Sequence, residues 1–423
     1  MKYKNVGDIG NYCTSCGACI PICPTKCISF DKNSEKVIVD NKKCLNCGLC
    51  LKACTGLGFD FKKNNKLFKD NRYNYFIGSY KKLFVGRSNN LDILKSSTSG
   101  GLATSVLLYC LKNKLIDGAI TTIDDPEDPL NAKCIIAHNE EEILTRCKSR
   151  YHLIPLAEIL KDISKEKRLA FVGLPCHIQA VRRLQKIGYK NSKVINLLIG
   201  LYCGQNQSYN ATKFILRNLK IDPLKVEKIS YRGPKWLGGF NLKTKKRLIR
   251  LSKEACDFIN YMFIPKRCMV CYDFTSEFAD ISLGDAWSKK PSEYGWNEII
   301  VRSNKGLKII EGMLKKKEIY AEELDLNTLV KSHPGNFDFK KKGIFMRMKR
   351  MKIFPSYNIK KPEIKKKELV FQYLFFKFIG VMHSKPVRFL FSIIPLRVLG
   401  PLFYYLKRIS LLMFFKRRSK NEK

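Results

Sequence analysis

Residues 168–203 read RLAFVGLPCHIQAVRRLQKIGYKNSKVINLLIGLYC. LAFVGL has the short, continuous apolar character of a buried strand, and HIQAVRRLQKI sets Ile178, Val181, Leu184 and Ile187 on one helical face. VINLLIGLYC is a second β-rich run. A strand–helix–strand unit of this length is normally a right-handed crossover between parallel strands. The fold class expected is therefore α+β with an α/β core. Cys176 and Cys203 then lie just past the carboxyl ends of neighbouring strands, the edge where such sheets build sites. Two lone cysteines there more often pack a core. The pair Cys268-Met-Val-Cys271, set after Pro265, changes that reading. Four cysteines from three loops can close around one centre, a 4Fe–4S cluster or a structural zinc.

The N-terminus carries Cys13-x2-Cys16-x2-Cys19-x3-Cys23-Pro24, repeated 31 residues later as Cys44-x2-Cys47-x2-Cys50-x3-Cys54. Three cysteines at spacings of three wrap one corner of an iron–sulfur cube, and the fourth points to the other cube. Cys13, Cys16, Cys19 and Cys54 are expected to hold one 4Fe–4S cluster, and Cys44, Cys47, Cys50 and Cys23 a second. A zinc site needs only four ligands and has no use for a third cysteine in each loop. CISF (27–30) and KVIV (36–39) read as a hairpin, with Cys27 as a packing residue. About the first 60 residues resemble a bacterial two-cluster ferredoxin module, with Thr55-Gly56 where proline often follows the last cysteine.

The whole chain has 423 residues, 79 Lys+Arg against 37 Asp+Glu, and 17 cysteines, nine of them between Cys13 and Cys54. With 45% hydrophobic residues it is no disordered chain. Clustered cysteines without an apolar signal segment in Met1–Asn11 disfavour a secreted disulfide scaffold and favour a cytoplasmic redox or metal protein. The expected organisation is a ferredoxin module at 1–60, a linker at 61–80, two parts of one α/β unit at 81–160 and 161–340, and a basic amphipathic tail at 341–423. That tail holds 22 Lys or Arg and three Glu, so +19 of the net +42. Its apolar blocks are too short and too interrupted to span a bilayer, and Pro386, Pro395 and Pro401 are expected to break any long helix. Short apolar stretches with interleaved Lys and Arg over 369–418 suit a helix lying in an anionic membrane interface, at the inner face of the membrane. A basic packing face with a frayed end is the other reading. No nucleic-acid reader motif accompanies the charge.

Five strings, KSSTSGGLATSVL (95–107), FVGLPCHIQAV (171–181), LYCGQ (201–205), the Arg232-Gly-Pro turn with Trp236, and CMVCYDFTSEFADISLGDAW (268–287), together resemble the coenzyme F420 hydrogenase/dehydrogenase beta-subunit family. The resemblance covers about 1–340. It implies an iron–sulfur flavoprotein oxidoreductase that binds FAD in the α/β core. It further implies electron transport between 4Fe–4S clusters and a two-electron acceptor, in several members coenzyme F420 as substrate. The third cluster would be held by Cys176, Cys203, Cys268 and Cys271. Partners implied are a ferredoxin or a hydrogenase or dehydrogenase subunit. Two alternatives stay open: a membrane-surface reductase of another pathway intermediate, and a non-catalytic electron-wire subunit.

A flavin dinucleotide carries a pyrophosphate, which wants backbone N–H donors at a helix start. Within the family pattern Ser97, Thr98, Ser99, Gly100 and Gly101, just before LATSVLLYCLKNK, are read as the phosphate loop, although an ordinary capped helix explains the string equally well alone. Arg232 and Trp236 could face the flavin ring or the acceptor. Asp280 and Asp285 are read as shaping that pocket, and His177 as a cluster-tuning or capping residue. Cys110, Cys134, Cys147, Cys256 and the remaining histidines need no functional reading.

Overall fold

The computed structural model describes residues 3–145, 148–163, 166–233, 235–290 and 292–415, with side chains to residue 405. Cys147, Pro234 and the tail side chains after Tyr405 lie outside the described residues. The run at 168–203 forms two strands and the helix between them, and the strands pair in parallel, Ala170 opposite Leu197 and Gly173 opposite Gly200. Pro175 opens the helix, where a missing N–H costs nothing, and Ile178, Val181 and Leu184 are buried along it.

These strands are β4 and β5 of an eight-stranded sheet: β1 (Lys82–Ser88), β2 (Gly118–Asp124), β3 (Ala132–Ala137), β4 (Leu169–Gly173), β5 (Ile195–Leu201), β6 (Ile281–Asp285), β7 (Asn297–Val301) and β8 (Ile319–Glu323). Their spatial order is β8-β1-β7-β6-β5-β4-β2-β3. The four middle strands β6, β5, β4 and β2 run parallel, and antiparallel strands flank them on both sides. Helices α1 (Leu102–Lys112), α2 (Pro175–Lys186) and α3 (Asn304–Lys315) cover it. Leu169, Phe171 and Leu198 pack with α2, while Ala170, Leu197 and Ile199 pack with α1 and α3. Both faces are thus buried, which is why the central strands read as unbroken apolar runs.

The N-terminal segment docks beside the carboxyl edge of the parallel strands. Its hairpin forms at Ile28–Asp31 and Lys36–Val39. Its two cysteine loops curl alike: Ser15 and Asn46 have φ of 56° and 52°, and Gly17 and Gly48 have φ of 82° and 72°. The duplication seen in sequence is therefore repeated in the backbone. Glu35, at the hairpin turn, accepts from Ser208 Oγ and from the Tyr209 amide, beside the start of the helix Asn210–Asn218. Residues 61–80, expected as a linker, form the short helix Phe61–Asn64 and a hairpin of Arg72–Asn74 with Gly78–Tyr80. Phe61 is buried there against Tyr272 and Phe278.

A second core lies under a three-stranded antiparallel sheet, Val226–Gly233, Gly239–Thr244 and Leu248–Ser252. Helices α4 (Lys366–Met382), α5 (Lys385–Ile393) and α6 (Leu396–Phe415) pack on it through Met382, Leu396 and Leu399. Pro386 and Pro395 stand at helix starts, but Pro401 lies inside α6 and does not end it. One lost backbone bond near the start of a 20-residue helix is not enough to terminate it. The basic run at 340–347 is not surface: Lys340, Lys341 and Arg347 are buried. After Tyr357 no residue is buried until Gln372, where α4 packs back on the body.

Candidate metal centres and the adjoining cleft

Cys13, Cys16, Cys19 and Cys54 form one neighbourhood. Burial and then the nearby thiols Cys16, Cys54 and Cys13 push Cys19 well above its usual range, and burial with Cys16 holds Cys54 at about 12. Thiols so crowded and buried are unstable as separate thiolates and suited to sharing a metal's positive charge. Cys23, Cys44, Cys47 and Cys50 line one small cavity. Cys27 lines it too, with its Sγ 3.4 Å from that of Cys23. Cys27, expected as packing, thus stands beside this second set.

The unusual Thr55-Gly56 has a local cause. Thr55 Oγ1 lies 3.3 Å from Cys16 Sγ, and a Cβ at Gly56 would stand 2.1 Å from the Tyr12 carbonyl oxygen. The Thr55 and Gly56 carbonyls accept from the buried Arg267 guanidinium, which also donates to the Val270 carbonyl. Arg267 therefore ties the loop after Cys54 to the loop Cys268–Cys271. Arg183 of α2 adds a second tie, donating to the Lys52 and Gly58 carbonyls at 2.8 and 2.6 Å.

Cys176, Cys203, Cys268 and Cys271 are brought together from three loops. Cys176 is in the first turn of α2 and Cys203 follows β5, both at the carboxyl edge. Burial, then Cys16, Cys203, Cys271 and Cys268, raises Cys176 well above the ordinary thiol range. The core set and the first N-terminal set thus adjoin through Cys16 and Cys176. Among the described residues, no three His, Cys, Asp or Glu side chains converge as tightly as one metal ion requires.

Two buried cations, Arg267 and Lys340, sit against the core set. Lys340 is 1% exposed, and burial alone would drive off its proton. Cys271, Cys203 and Cys268 more than offset that, and its ammonium donates to Cys271. A buried ammonium surrounded by thiols asks for a negatively charged group there. His177 has another task. Its Nδ1 accepts from the Leu174 amide at 3.3 Å, and Nε2 donates to the Ile154 carbonyl at 3.1 Å. With both nitrogens engaged, it caps α2 as a neutral ring and burial lowers its pKa to about 4.

A cleft continues from this edge. Arg232 Nη1 donates to Asp285 Oδ2 at 2.8 Å, at the end of β6, and its Nη2 is buried without a partner. Trp236 lies under the guanidinium, 5.4 Å from ring centre, and beside Trp287 at 5.3 Å. Tyr151 is a neighbour of Arg232, Asp285 and Cys203. Tyr151, Arg232, Gly238, Gly239 and Lys253 line a cavity of about 90 Å³. Asp280 serves the sheet, accepting from the Leu198 amide at 2.9 Å.

The loop 97–101 reaches the same cleft: a Cβ at Gly295 would strike both Trp236 and Ser99. Its hydroxyls, however, do not cap α1. Ser97 closes the preceding helix, Thr98 Oγ1 pairs with Ser149 Oγ at 2.9 Å, and Ser99 Oγ donates to the Trp296 carbonyl. Gly101 takes the cap position at φ of 73°, and the Leu102 amide donates instead to Asn297 Oδ1. Gly100 is wedged against Asn297 and the Gly86 carbonyl, where a Cβ has no room. Sequence reading missed Asn297, Tyr151, Lys253, Arg267 and Lys340, whose partners lie far along the chain.

Residues 12–56 match the 4Fe-4S dicluster domain. Residues 83–161 and 166–327 match the N-terminal and C-terminal models of the coenzyme F420 hydrogenase/dehydrogenase beta subunit, together more than half the chain. The chain belongs to that family. It is an oxidoreductase of the family's type with an N-terminal two-cluster 4Fe–4S domain. It is 29% identical over 256 residues to the coenzyme F420 hydrogenase subunit beta of Methanococcus voltae, covering 59% of this chain and 86% of that protein. A coenzyme F420-dependent sulfite reductase of Methanocaldococcus jannaschii is 29% identical over 77% of this chain, but the match spans only about half of that relative, 49%. In a solved structure of the F420-reducing [NiFe] hydrogenase complex from Methanosarcina barkeri, one chain is 23% identical with a TM-score of 0.54. That match covers 69% of this chain and 99% of the other, and it bears on the fold.

Proposed function

We propose that this chain is a cytoplasmic iron–sulfur flavoprotein, held at the inner face of the membrane, that passes electrons between 4Fe–4S clusters and FAD with hydride exchange at a two-electron acceptor. Coenzyme F420 is the acceptor this reading favours. The observation that carries it is the continuity of groups along the sheet's carboxyl edge: Cys16 beside Cys176, the core set around Lys340, then Tyr151 and Arg232 in the cleft.

Cys13, Cys16, Cys19 and Cys54 would hold one cluster, Cys44, Cys47, Cys50 and Cys23 the second, and Cys176, Cys203, Cys268 and Cys271 the third. A cube gives each thiolate its own iron, so its ligands stand wider than four sulfurs about 2.3 Å from one zinc. Clusters supply one-electron steps, and a bound flavin joins them to two-electron chemistry. Arg232 fits an anionic or polar edge of that flavin, because its buried Nη2 is an orphan donor. Ser97–Gly101 and the start of α1 would bind its phosphates, and Trp236 and Trp287 would flank the cleft. Lys340 and Arg267 keep positive charge at the core set. The partner in this reading is a ferredoxin or a hydrogenase or dehydrogenase subunit, matching the subunit nature of the named relative.

The test is an anaerobic titration of the purified, iron- and flavin-assayed protein with reduced F420, followed near 450 nm. Bleaching of bound flavin with return of oxidised F420 is the expected result. Flavin that dithionite bleaches and F420 leaves oxidised would remove F420 as acceptor, and a protein without flavin would leave the electron-wire reading. Cys268→Ser with Cys271→Ser should lose about four of twelve irons. Zinc recovered there instead would remove the third cluster.

A further inference from the structure

The tail helices are held to the body by one face and leave the opposite face apolar. On α4, Val370, Leu374 and Val381 are exposed along one side with Lys377 among them, while Gln372, Ile379 and Met382 are buried on the other. Exposed Phe389, Leu390 and Ile393 follow on α5, and Val398, Leu402 and Tyr405 on α6; Phe389 is 70% exposed. The α5–α6 turn is fixed rather than loose. Asn218 Nδ2 donates to the carbonyls of Phe391, Ser392 and Ile394, and its Oδ1 accepts from the Leu396 amide. Arg388 donates to the Met262 carbonyl. Exposed Lys365, Lys366, Lys367, Lys377, Lys385 and Arg397 rim this surface. Glu368 is the one acid in 366–405, and Lys342 neutralises it at 3.1 Å.

We infer that α4, α5 and α6 form a rigid platform that docks the chain on an anionic lipid bilayer. Two copies would set two faces of six Lys or Arg against one Glu together, counted over 366–405, so charge disfavours self-association through this face. A bilayer with acidic headgroups satisfies both features at once, taking the apolar side chains at the acyl boundary and the lysines at the phosphates. No single described helix is long and apolar enough to cross a membrane. Together α5 and α6 to Tyr405 reach that composition, but they bend by 120° at the break, which suits shallow seating.

The platform also has a defined relation to the cleft. Gly400 of α6 is pressed against Ala255, where a Cβ would lie 2.1 Å from the neighbouring Cα. Residues 253–260 thus touch the tail through Ala255 and Phe258 and line the cavity of Arg232 through Lys253, Cys256 and Asn260. Docking would hold that cavity close to the lipid surface. The inference rests on the peripheral location proposed above, and its test is independent of the F420 titration.

The experiment is flotation of the full, cofactor-loaded chain with vesicles of phosphatidylglycerol and phosphatidylcholine, against pure phosphatidylcholine. Co-flotation with the anionic vesicles alone, reversed by salt, is expected. Phe389→Ser with Leu390→Ser and Ile393→Ser should cut the bound fraction at least tenfold. Lys377→Glu with Lys385→Glu and Arg397→Glu should do the same while leaving the apolar face intact, a second route if the first variant misfolds. Iron content and dithionite bleaching should stay as in the parent. Absence of flotation at low salt, or equal flotation of parent and charge-reversed chain, would overturn the platform. So would release of a protein partner by these variants without any vesicle binding.

Discussion

Cys27 shows how much a single side chain can alter the reading of a motif. It stands 3.4 Å from Cys23 by sulfur and faces the same cavity as Cys44, Cys47 and Cys50. A hydrogen-bonded neighbour thiol is also a spare ligand. Cys23→Ser should therefore keep about four irons at the second site, and only the double variant with Cys27→Ser should lose them. Iron analysis and electron paramagnetic resonance of the reduced protein distinguish the two outcomes; loss of iron from the single variant would make Cys27 mere packing. His152 gives a second residue-scale expectation. Buried, and beside Arg150, it has a folded pKa lowered to about 4 from 6.5. Above pH 6.5 neither folded nor unfolded chain protonates it. As pH falls from 6.5 to 4 only the unfolded chain takes the proton, so stability drops, by up to about 3 kcal/mol. His152→Phe should lose less melting temperature than the parent between pH 7 and pH 4.5. An equal loss in both would assign the acid sensitivity elsewhere.

Among elements, the decisive one is the loop that joins modules rather than any helix. Arg267 donates three hydrogen bonds to carbonyls on both sides of the junction between the N-terminal domain and the Cys268–Cys271 loop. Arg267→Met leaves those carbonyls without a donor in a buried site, at a cost of about 3 kcal/mol. The expected result is a lower melting temperature and slower reduction of the core centre by an external carrier, at unchanged iron content. Unchanged kinetics would show that the two halves dock without this strut. This junction was not legible in the chain, and the reason is physical. The ligand loops repeat every three residues, so their chemistry is local and readable, as are the continuous apolar runs that made β4 and β5 visible. Arg267 and Thr55 are separated by 212 positions, and Lys340 lies in a run of three lysines that reads as a solvated surface. The loop 97–101 was found for its glycines and hydroxyls. Its capping oxygen comes from Asn297, 195 residues away. Asn297→Ala should cost about 1 kcal/mol in a melting curve, and under the proposed flavin reading it should also raise the fraction of flavin lost on dilution.

At the scale of the molecule, the net charge of +42 is distributed in two places with different uses. The tail carries +19, whereas residues 1–60 carry a net +3, eight Lys against five Asp and Glu. At the outer end of the cysteine series the loop 44–50 is open: Cys47 is exposed, Leu45 is 69% exposed, and Lys26, Lys42 and Lys43 lie in the same exposed region. An apolar contact ringed by lysines, beside the outermost candidate ligand set, suits the entry point of an acidic electron-carrier protein. Long-range attraction between such charges is screened over about 8 Å at physiological salt, so it governs the rate of encounter. The second-order rate of reduction by an acidic ferredoxin should fall about tenfold or more on raising salt from low to physiological strength. Reduction by a small neutral reductant should change little. Leu45→Glu places a negative charge at the contact and should slow the acidic carrier selectively, with flavin and iron contents intact. If salt and Leu45→Glu leave carrier reduction untouched, electrons enter elsewhere and the order from Cys47 through Cys16 and Cys176 to the Arg232 cleft runs from a different end.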